Sequence, residues 1–137
     1  MRKMKVILDQ NIIQSINLFQ SLTGSSVVDA ITDGDEIYFV IAQGSYGATV
    51  GKGGIKIKNA ERVFKKYIKV FEYSENMEDF LRSVMPGIQE ITRTEKTVLV
   101  KIRPQEKPRA IGKGGKNVKI ITRFLQRLFD VEELKVK

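Results

Sequence analysis

Gly51-Lys52-Gly53-Gly54 recurs as Gly112-Lys113-Gly114-Gly115, an offset of 61 residues (112 − 51). Apolar residues with the spacing of one buried helix face follow each loop. They fall first at Ile57, Ala60, Val63, Phe64 and Tyr67, and then at Val118, Ile121, Phe124, Leu125 and Leu128. Two basic positions share the offset: Lys58 matches Lys119, and Arg62 matches Arg123. Because loop, apolar stripe and charges repeat together, the sequence indicates an internal duplication.

The rest of the chain predicts the same order of elements in both halves. In the first half, Asp9 is the expected N-cap of a helix that ends at Gly24. Strands over residues 27–32 and 37–42 turn at Asp33-Gly34. A short helix begins near residue 45, and a strand over residues 68–73 follows the long helix. The first half is therefore predicted to be an α+β unit.

The second half predicts a helix over residues 77–84, stopped by Pro86-Gly87. Strands over 88–93 and 96–103 meet at Thr94-Glu95, and a short helix over 105–111 leads to the loop. The long helix runs to Phe129, and residues 131–136 form the last strand. We expect a mixed α/β fold of the α+β kind, with units at residues 1–75 and 76–137.

A Gly-x-x-Gly turn between helices suits a sugar-phosphate backbone, because glycine lacks a Cβ and lets a phosphate reach main-chain N–H groups. The long helix that follows presents its N-terminus to the same anion. Lys52 and Lys113 add a cation there and are the first candidates for phosphate contact. A plain solvated turn is the alternative. A nucleotide-binding P-loop is another, but only three residues separate Gly47 from Gly51, and Gly53 replaces its magnesium-binding Ser or Thr.

The overall composition favours a binding protein over an enzyme. A net charge of +8 indicates an anionic partner, most often nucleic acid. Histidine and cysteine are absent, so the usual general base, thiolate and zinc ligands are missing. The remaining candidates for catalysis, Asp33, Asp35 and Glu36, are better explained by a polar hairpin turn. We expect no catalytic activity, no metal, no cofactor and no small-molecule substrate.

Hydropathy predicts a cytoplasmic protein without a membrane partner, since no stretch approaches the ~18 apolar residues of a membrane span. The positive charge is uneven. Residues 96–127 hold ten basic side chains and one acid, Glu106, whereas residues 1–75 carry only +2. The spacing predicts that one exposed face of the second long helix carries Lys116, Lys119, Arg123 and Arg127. This basic face is either a solubilising surface or a site for a polyanion.

The order of elements with a Gly-x-x-Gly loop resembles the type II KH domain, the prokaryotic form with a three-stranded sheet, and the resemblance covers both halves. Two such units in tandem resemble the archaeal NusA-like transcription factors. The segments that carry this likeness are Val50 to Gly54, Ala110 to Lys119, Asn17 to Gly24 and Phe71 to Ser74.

The resemblance implies that each unit binds about four unpaired nucleotides of RNA. The loops Gly51-Lys52-Gly53-Gly54 and Gly112-Lys113-Gly114-Gly115 would hold the RNA backbone. Lys58, Lys116, Lys119 and Arg123 would add positive charge, and Val50, Ile57, Ile111 and Val118 would form the platform for the bases. Core packing explains these four aliphatic residues equally well.

The implied function is transcription termination or antitermination on single-stranded RNA, with RNA polymerase as a further partner. A KH-type factor in ribosome assembly or RNA processing is the alternative, and single-stranded DNA is a further candidate ligand. Low aromatic content disfavours modules that stack bases on exposed rings, such as the OB-fold and the RRM.

Overall fold

The computed structural model describes residues 10–137, which form two compact units that divide between Ser74 and Glu75. The expected N-cap at Asp9 lies outside the described residues. Among those residues, no helix is long and apolar enough to cross a membrane.

The first unit contains three helices and a three-stranded sheet within its described part. The elements are α1 (Gln10–Thr23), β1 (Val27–Asp33), β2 (Glu36–Ile41), α2 (Tyr46–Val50), a 3-10 turn (Lys52–Gly54), α3 (Ile55–Phe64) and β3 (Tyr67–Glu72). Strand β2 lies in the centre of the sheet, antiparallel to β1 and parallel to β3. The parallel pair requires a crossover, and α2, the loop and α3 provide it.

The second unit repeats this topology. Its elements are α4 (Met77–Val84), β4 (Ile88–Thr94), β5 (Thr97–Ile102), a 3-10 turn (Pro104–Glu106), α5 (Lys107–Ile111), a 3-10 turn (Lys113–Gly115), α6 (Lys116–Leu128) and β6 (Glu133–Val136). Strand β5 is central, antiparallel to β4 and parallel to β6. The predicted α+β fold is confirmed.

An aromatic cluster holds the helices of the first unit against their sheet. The rings of Phe19 in α1 and Phe39 in β2 stack with centroids 4.0 Å apart, and Phe64 of α3 meets both edge-on. Phe19 and Phe39 are fully buried. Aromatic rings bury large apolar areas, so this contact holds the C-terminal end of α3 against the sheet.

The core of the second unit relies on apolar residues of α6 and β5. Ile121, Phe124 and Leu125 are fully buried on the inner face of α6, and Val98 and Val100 are fully buried in β5. Apolar residues recur every three or four positions in the helix and at every second position in the strand. Each element therefore has one apolar face, and both faces contribute to the core. The outer face of α6 is left to its basic residues.

The two hairpin turns lie one residue later than predicted. Asp33 pairs with Glu36 in the ladder, so Gly34 and Asp35 form the turn instead of Asp33-Gly34. The second hairpin is likewise turned by Glu95-Lys96. The left-handed residue of each turn explains the shift: Gly34 has φ 61° and Glu95 has φ 55°.

The buried stripe predicted for the first long helix is partly wrong. Ala60 is fully buried, but Val63 is 47% exposed and Tyr67 is 64% exposed. The helix ends at Phe64 because Lys65 adopts the left-handed conformation with φ 57°. Tyr67 is therefore the first residue of β3, and its side chain no longer follows the helical period.

The offset of 61 residues holds from β1 through the start of the long helix and then changes. Ile37 pairs with Ile68, whereas the matching Val98 pairs with Leu134, which gives 66 residues (134 − 68) for the last strand. Helix α6 is longer than α3, and the chain turns at Asp130 with φ 54°. The strand predicted at residues 131–136 consequently begins only at Glu133.

Candidate nucleic-acid interface

The two Gly-Lys-Gly-Gly loops have the same backbone conformation. The φ and ψ angles are 80° and 169° at Gly51, and 80° and 166° at Gly112. The third loop positions, Gly53 and Gly114, are both left-handed with φ 64°. Glycine adopts these angles without the steric cost of a Cβ. The repeated sequence therefore produces a repeated local structure.

The space around the loop glycines differs by position. A Cβ added to Gly112 would lie 2.8 Å from the backbone N of Asn117, and one added to Gly51 would lie 2.9 Å from the side chain of Lys56. A Cβ added to Gly53 or Gly114 would meet no heavy atom within 4 Å. Close packing therefore surrounds the glycine at the first loop position, whereas the glycine at the third loop position faces open space that a ligand can approach.

Each loop leads directly into the N-terminus of a long helix. Gly54 caps α3 and Gly115 caps α6, and glycine has no side chain that could bond to the first N–H groups of the helix. The first N–H groups of a helix have no carbonyl partner inside the helix, and the helix dipole makes this end positive. The geometry at both loops is therefore suited to an anion such as a phosphate.

The predicted basic side chains lie in the loops and along the helices that follow them. Lys52 and Lys113 are exposed within the loops, and further exposed cations follow at Lys58, Lys119 and Arg123. Lys116 is half-buried at the first position of α6. Lys119 and Arg123 are four residues apart, so they share the face of α6 that continues from the loop.

The predicted base platform lies beside the loops. Val50 and Ile111 are the last residues of α2 and α5, and Ile57 and Val118 are the third residues of α3 and α6. All four are half-buried, and Ile57 packs against the core of the first unit. Half-buried aliphatic side chains at these positions support the core and also leave apolar surface beside the loop.

Part of the basic segment at residues 96–127 serves the fold instead. Lys96 lies 3.4 Å from an oxygen of Asp130 and 3.8 Å from one of Glu132. Arg109 pairs with Glu106 at 3.8 Å. The Lys96 pairs are exposed and contribute little stability, but all of these pairs reduce the charge that the segment presents to a ligand. The basic surface is consequently narrower than the sequence predicts.

Three features near the first loop were not predicted. The carboxylate of Glu72 accepts hydrogen bonds from the backbone N of Gly44 at 2.7 Å and of Tyr46 at 3.2 Å, which ties the start of α2 to β3. Ile55 follows the loop and is 64% exposed, and Tyr46 is 49% exposed. No local sequence signal links Glu72 to residues 26 and 28 positions before it.

The acidic residues of the first hairpin have structural contacts. Glu36 accepts a hydrogen bond from the hydroxyl of Tyr38 at 2.7 Å and lies 4.0 Å from the Nζ of Lys69. Burial, together with the neighbouring Glu36 carboxylate, raises the pKa of Tyr38 above its ordinary value. These contacts give Glu36 a structural role.

The sequence has relatives along nearly its whole length. It is 34% identical over 97% of its length to the probable transcription termination protein NusA of Methanococcus vannielii, of which it covers 80%. The chain belongs to this NusA family. The Methanocaldococcus jannaschii member is 30% identical over 96% of the chain, which covers 75% of that protein. The Halococcus morrhuae member is 25% identical over 97% of the chain and is covered to 99%.

Two further comparisons concern the fold of this family member. Residues 75–137, which span the second unit, match the KH domain family. The crystal structure of APE1850 matches with a TM-score of 0.79 and 30% identity, over 95% of this chain and 100% of the other. The predicted kinship with archaeal NusA-like proteins is confirmed.

Proposed function

We propose that this protein binds single-stranded RNA through two tandem type II KH domains and acts in transcription termination or antitermination. The observation that carries the proposal is the repeated loop. Gly51–Gly54 and Gly112–Gly115 share one backbone geometry, each opens a helix N-terminus, and each carries an exposed lysine. The match of the second unit to the KH family and the identical topology of the first support the tandem assignment.

In the proposed mechanism, each loop grips the RNA backbone. Phosphates approach the open side of Gly53 and Gly114, where backbone N–H groups and the helix dipole attract them. Lys52 and Lys113 supply the charge at the loop itself. The half-buried aliphatic residues beside each loop meet the bases, which a KH module binds in a single-stranded form.

The second unit should supply most of the electrostatic affinity. Its loop is followed by Lys116, Lys119 and Arg123, where the first has Ile55, Lys58 and Arg62. The short helix before the second loop carries Lys107 and Arg109 in place of Tyr46 and Ala48. Each phosphate contact releases counterions, so the more basic unit should dominate binding at low salt.

The name of the relatives, probable transcription termination protein NusA, supports the biological setting and makes RNA polymerase the expected protein partner. A role in ribosome assembly or RNA processing predicts association with pre-ribosomal particles instead. Copurification of the tagged chain with RNA polymerase, compared with pre-ribosomal particles, separates the two settings.

We further propose that the protein binds without catalysing a reaction. The chain contains no histidine or cysteine, and Glu36 makes structural contacts with Tyr38 and Lys69. Release of phosphate from ATP or GTP in the presence of magnesium would contradict this part of the proposal.

The decisive test replaces Gly53 and Gly114 with Asp in one chain. Each new carboxylate points into open space, so it should repel phosphate without a clash. The matched control replaces the same glycines with Asn, which has the same size and a similar tolerance of the left-handed conformation but carries no charge. RNA affinity is measured by fluorescence anisotropy, and folding by circular dichroism.

We expect the double Asp variant to bind at least tenfold more weakly, a difference of about 1.4 kcal/mol, while the Asn variant is affected much less. Both should keep the wild-type circular-dichroism spectrum. Wild-type affinity in a folded Asp variant would contradict the proposed loop contact. Equal weakening in the two variants would attribute the effect to backbone strain instead of charge.

A further inference from the structure

The residue that packs over the first glycine differs between the two loops. In the second unit it is Asn117, whose Cβ would lie 2.8 Å from a Cβ added to Gly112. In the first unit it is Lys56, whose Cγ would lie 2.9 Å from a Cβ added to Gly51. The two side chains therefore occupy the same place in the repeat, five residues after the first glycine.

Their polar ends reach different partners. The amide nitrogen of Asn117 donates a hydrogen bond of 2.8 Å to the carbonyl of Ala110, which lies in α5. The bond joins the helix before the loop to the helix after it, and Gly112–Gly115 lies between them. Ala110 is fully buried and Asn117 is half-buried, so water competes weakly for this bond.

Lys56 turns away from its loop. Its ammonium donates to the carbonyl of Thr23, the last residue of α1, at 3.3 Å. A cation is favoured at the negative end of a helix, which helps to hold Lys56 there. Among residues 10–137, no side-chain hydrogen bond joins α2 to α3 in the way that Asn117 joins α5 to α6.

We propose that Asn117 is a positioning residue that fixes the second loop in its binding conformation, and that Lys56 leaves the first loop less constrained. The role in binding rests on the proposed RNA function. A loop that is already ordered loses less conformational entropy when it binds, so the second loop gains affinity beyond its charge. The two loops should therefore differ in rigidity even without RNA.

Hydrogen exchange of the RNA-free protein tests this rigidity directly. The N–H groups of Gly112 and Gly115 are bonded at 2.9 and 3.0 Å, and those of Gly51 and Gly54 at 3.0 and 3.1 Å. The bond lengths are alike, so a difference in protection factors measures loop opening. We expect the second-loop amides to be better protected. Equal protection in the two loops would overturn the proposal.

Two substitutions test the consequence for binding. Asn117→Leu keeps the approximate size and the neutral charge but removes the donor. We expect second-loop protection and RNA affinity each to fall by about three- to tenfold, the range of one net hydrogen bond. Lys56→Asn places an asparagine after the first loop at the position that Asn117 occupies after the second. The carbonyl of Thr49 lies at the position equivalent to Ala110 and would accept the hydrogen bond of the new amide.

The Lys56→Asn variant separates positioning from electrostatics. Removal of a cation alone predicts weaker binding, whereas positioning predicts better protection of Gly51 and Gly54 and tighter binding. Affinity is measured on a ten-nucleotide oligouridine in a Gly114→Asp background, so that the first loop dominates the signal.

The outcomes distinguish this inference from the proposed function. Unchanged protection in Asn117→Leu, or weaker binding and unchanged protection in Lys56→Asn, would overturn the positioning role. If Asn117→Leu fails to fold, the Lys56→Asn result decides alone. If protection changes as expected but the wild type binds no RNA, the positioning role stands and the RNA function fails.

Discussion

Glycine has different roles at the first and third positions of each loop. At Gly112, φ and ψ of 80° and 166° belong to a region that other residues occupy only at a cost of about 1–3 kcal/mol. A new Cβ would also press on the backbone of Asn117. At Gly114 the space is open, so left-handed strain of about 1–2 kcal/mol is the main cost.

We therefore expect Gly112→Ala to lower the free energy of unfolding more than Gly114→Ala does, as measured by urea denaturation. Gly51→Ala should fall between them, because the nearest atom is the flexible side chain of Lys56 at 2.9 Å, which can shift. Gly53→Ala should resemble Gly114→Ala. Equal destabilisation at Gly112 and Gly114 would contradict the packing role of the first glycine.

At the scale of elements, α3 and α6 begin alike but present different charges. Each starts at a Gly cap and carries two basic residues on one face, Lys58 and Arg62 in α3 and Lys119 and Arg123 in α6. The surroundings differ, since α6 also begins with Lys116 where α3 begins with the exposed Ile55. The contribution of equivalent basic residues to RNA binding can therefore be compared between the less basic first unit and the more basic second unit.

Two matched triple variants make this comparison. The first changes Lys113, Lys119 and Arg123 to Gln, and the second changes Lys52, Lys58 and Arg62 to Gln. Each removes three positive charges, so the net charge of the two variants is equal. The second-unit variant should bind RNA more weakly, and its slope of log affinity against log salt should flatten by about 0.7 for every phosphate that the protein no longer neutralises. Weaker binding by the first-unit variant would mean that the first loop dominates.

At the scale of the whole molecule, the proposed binding of RNA at two loops on one chain would be bivalent. Once one loop holds an RNA strand, the other meets the same strand at high effective concentration. Each KH module holds about four nucleotides, so affinity should rise steeply as an unstructured oligonucleotide lengthens from about four to roughly ten. Anisotropy titrations of a length series measure this rise.

The single variant Gly114→Asp provides the control for the length series. With one loop disabled, affinity should stop rising after about four or five nucleotides, apart from the modest gain from extra binding registers. Saturation of the wild type at the same length would show that only one loop binds, and the tandem proposal would fail.

The sequence alone determined the duplication, the order of elements and the position of both loops. These features depend on patterns in the sequence: the 61-residue offset, the helical spacing of Ile121, Phe124 and Leu125, and the repeated Gly-Lys-Gly-Gly motif. The α+β fold followed from them, the family kinship was inferred from the resemblance of the motif segments, and both were confirmed. Such patterns can be read from sequence because the residues that interact lie within a few positions of one another.

Only the tertiary structure decided which side chains face the solvent and where their polar ends go. Tyr67 lies in a strand because Lys65 ends the helix in a left-handed conformation. The sequence has no glycine at this position that would predict the end of the helix. Glu72 reaches Gly44 across 28 residues, and Lys96 pairs with Asp130 across 34. Lys56 and Asn117 occupy equivalent positions, yet one bonds to the end of α1 and the other to Ala110 in α5. These contacts form because the packing of the core brings together segments that are far apart in the sequence. No local sequence pattern predicts which distant residues will meet.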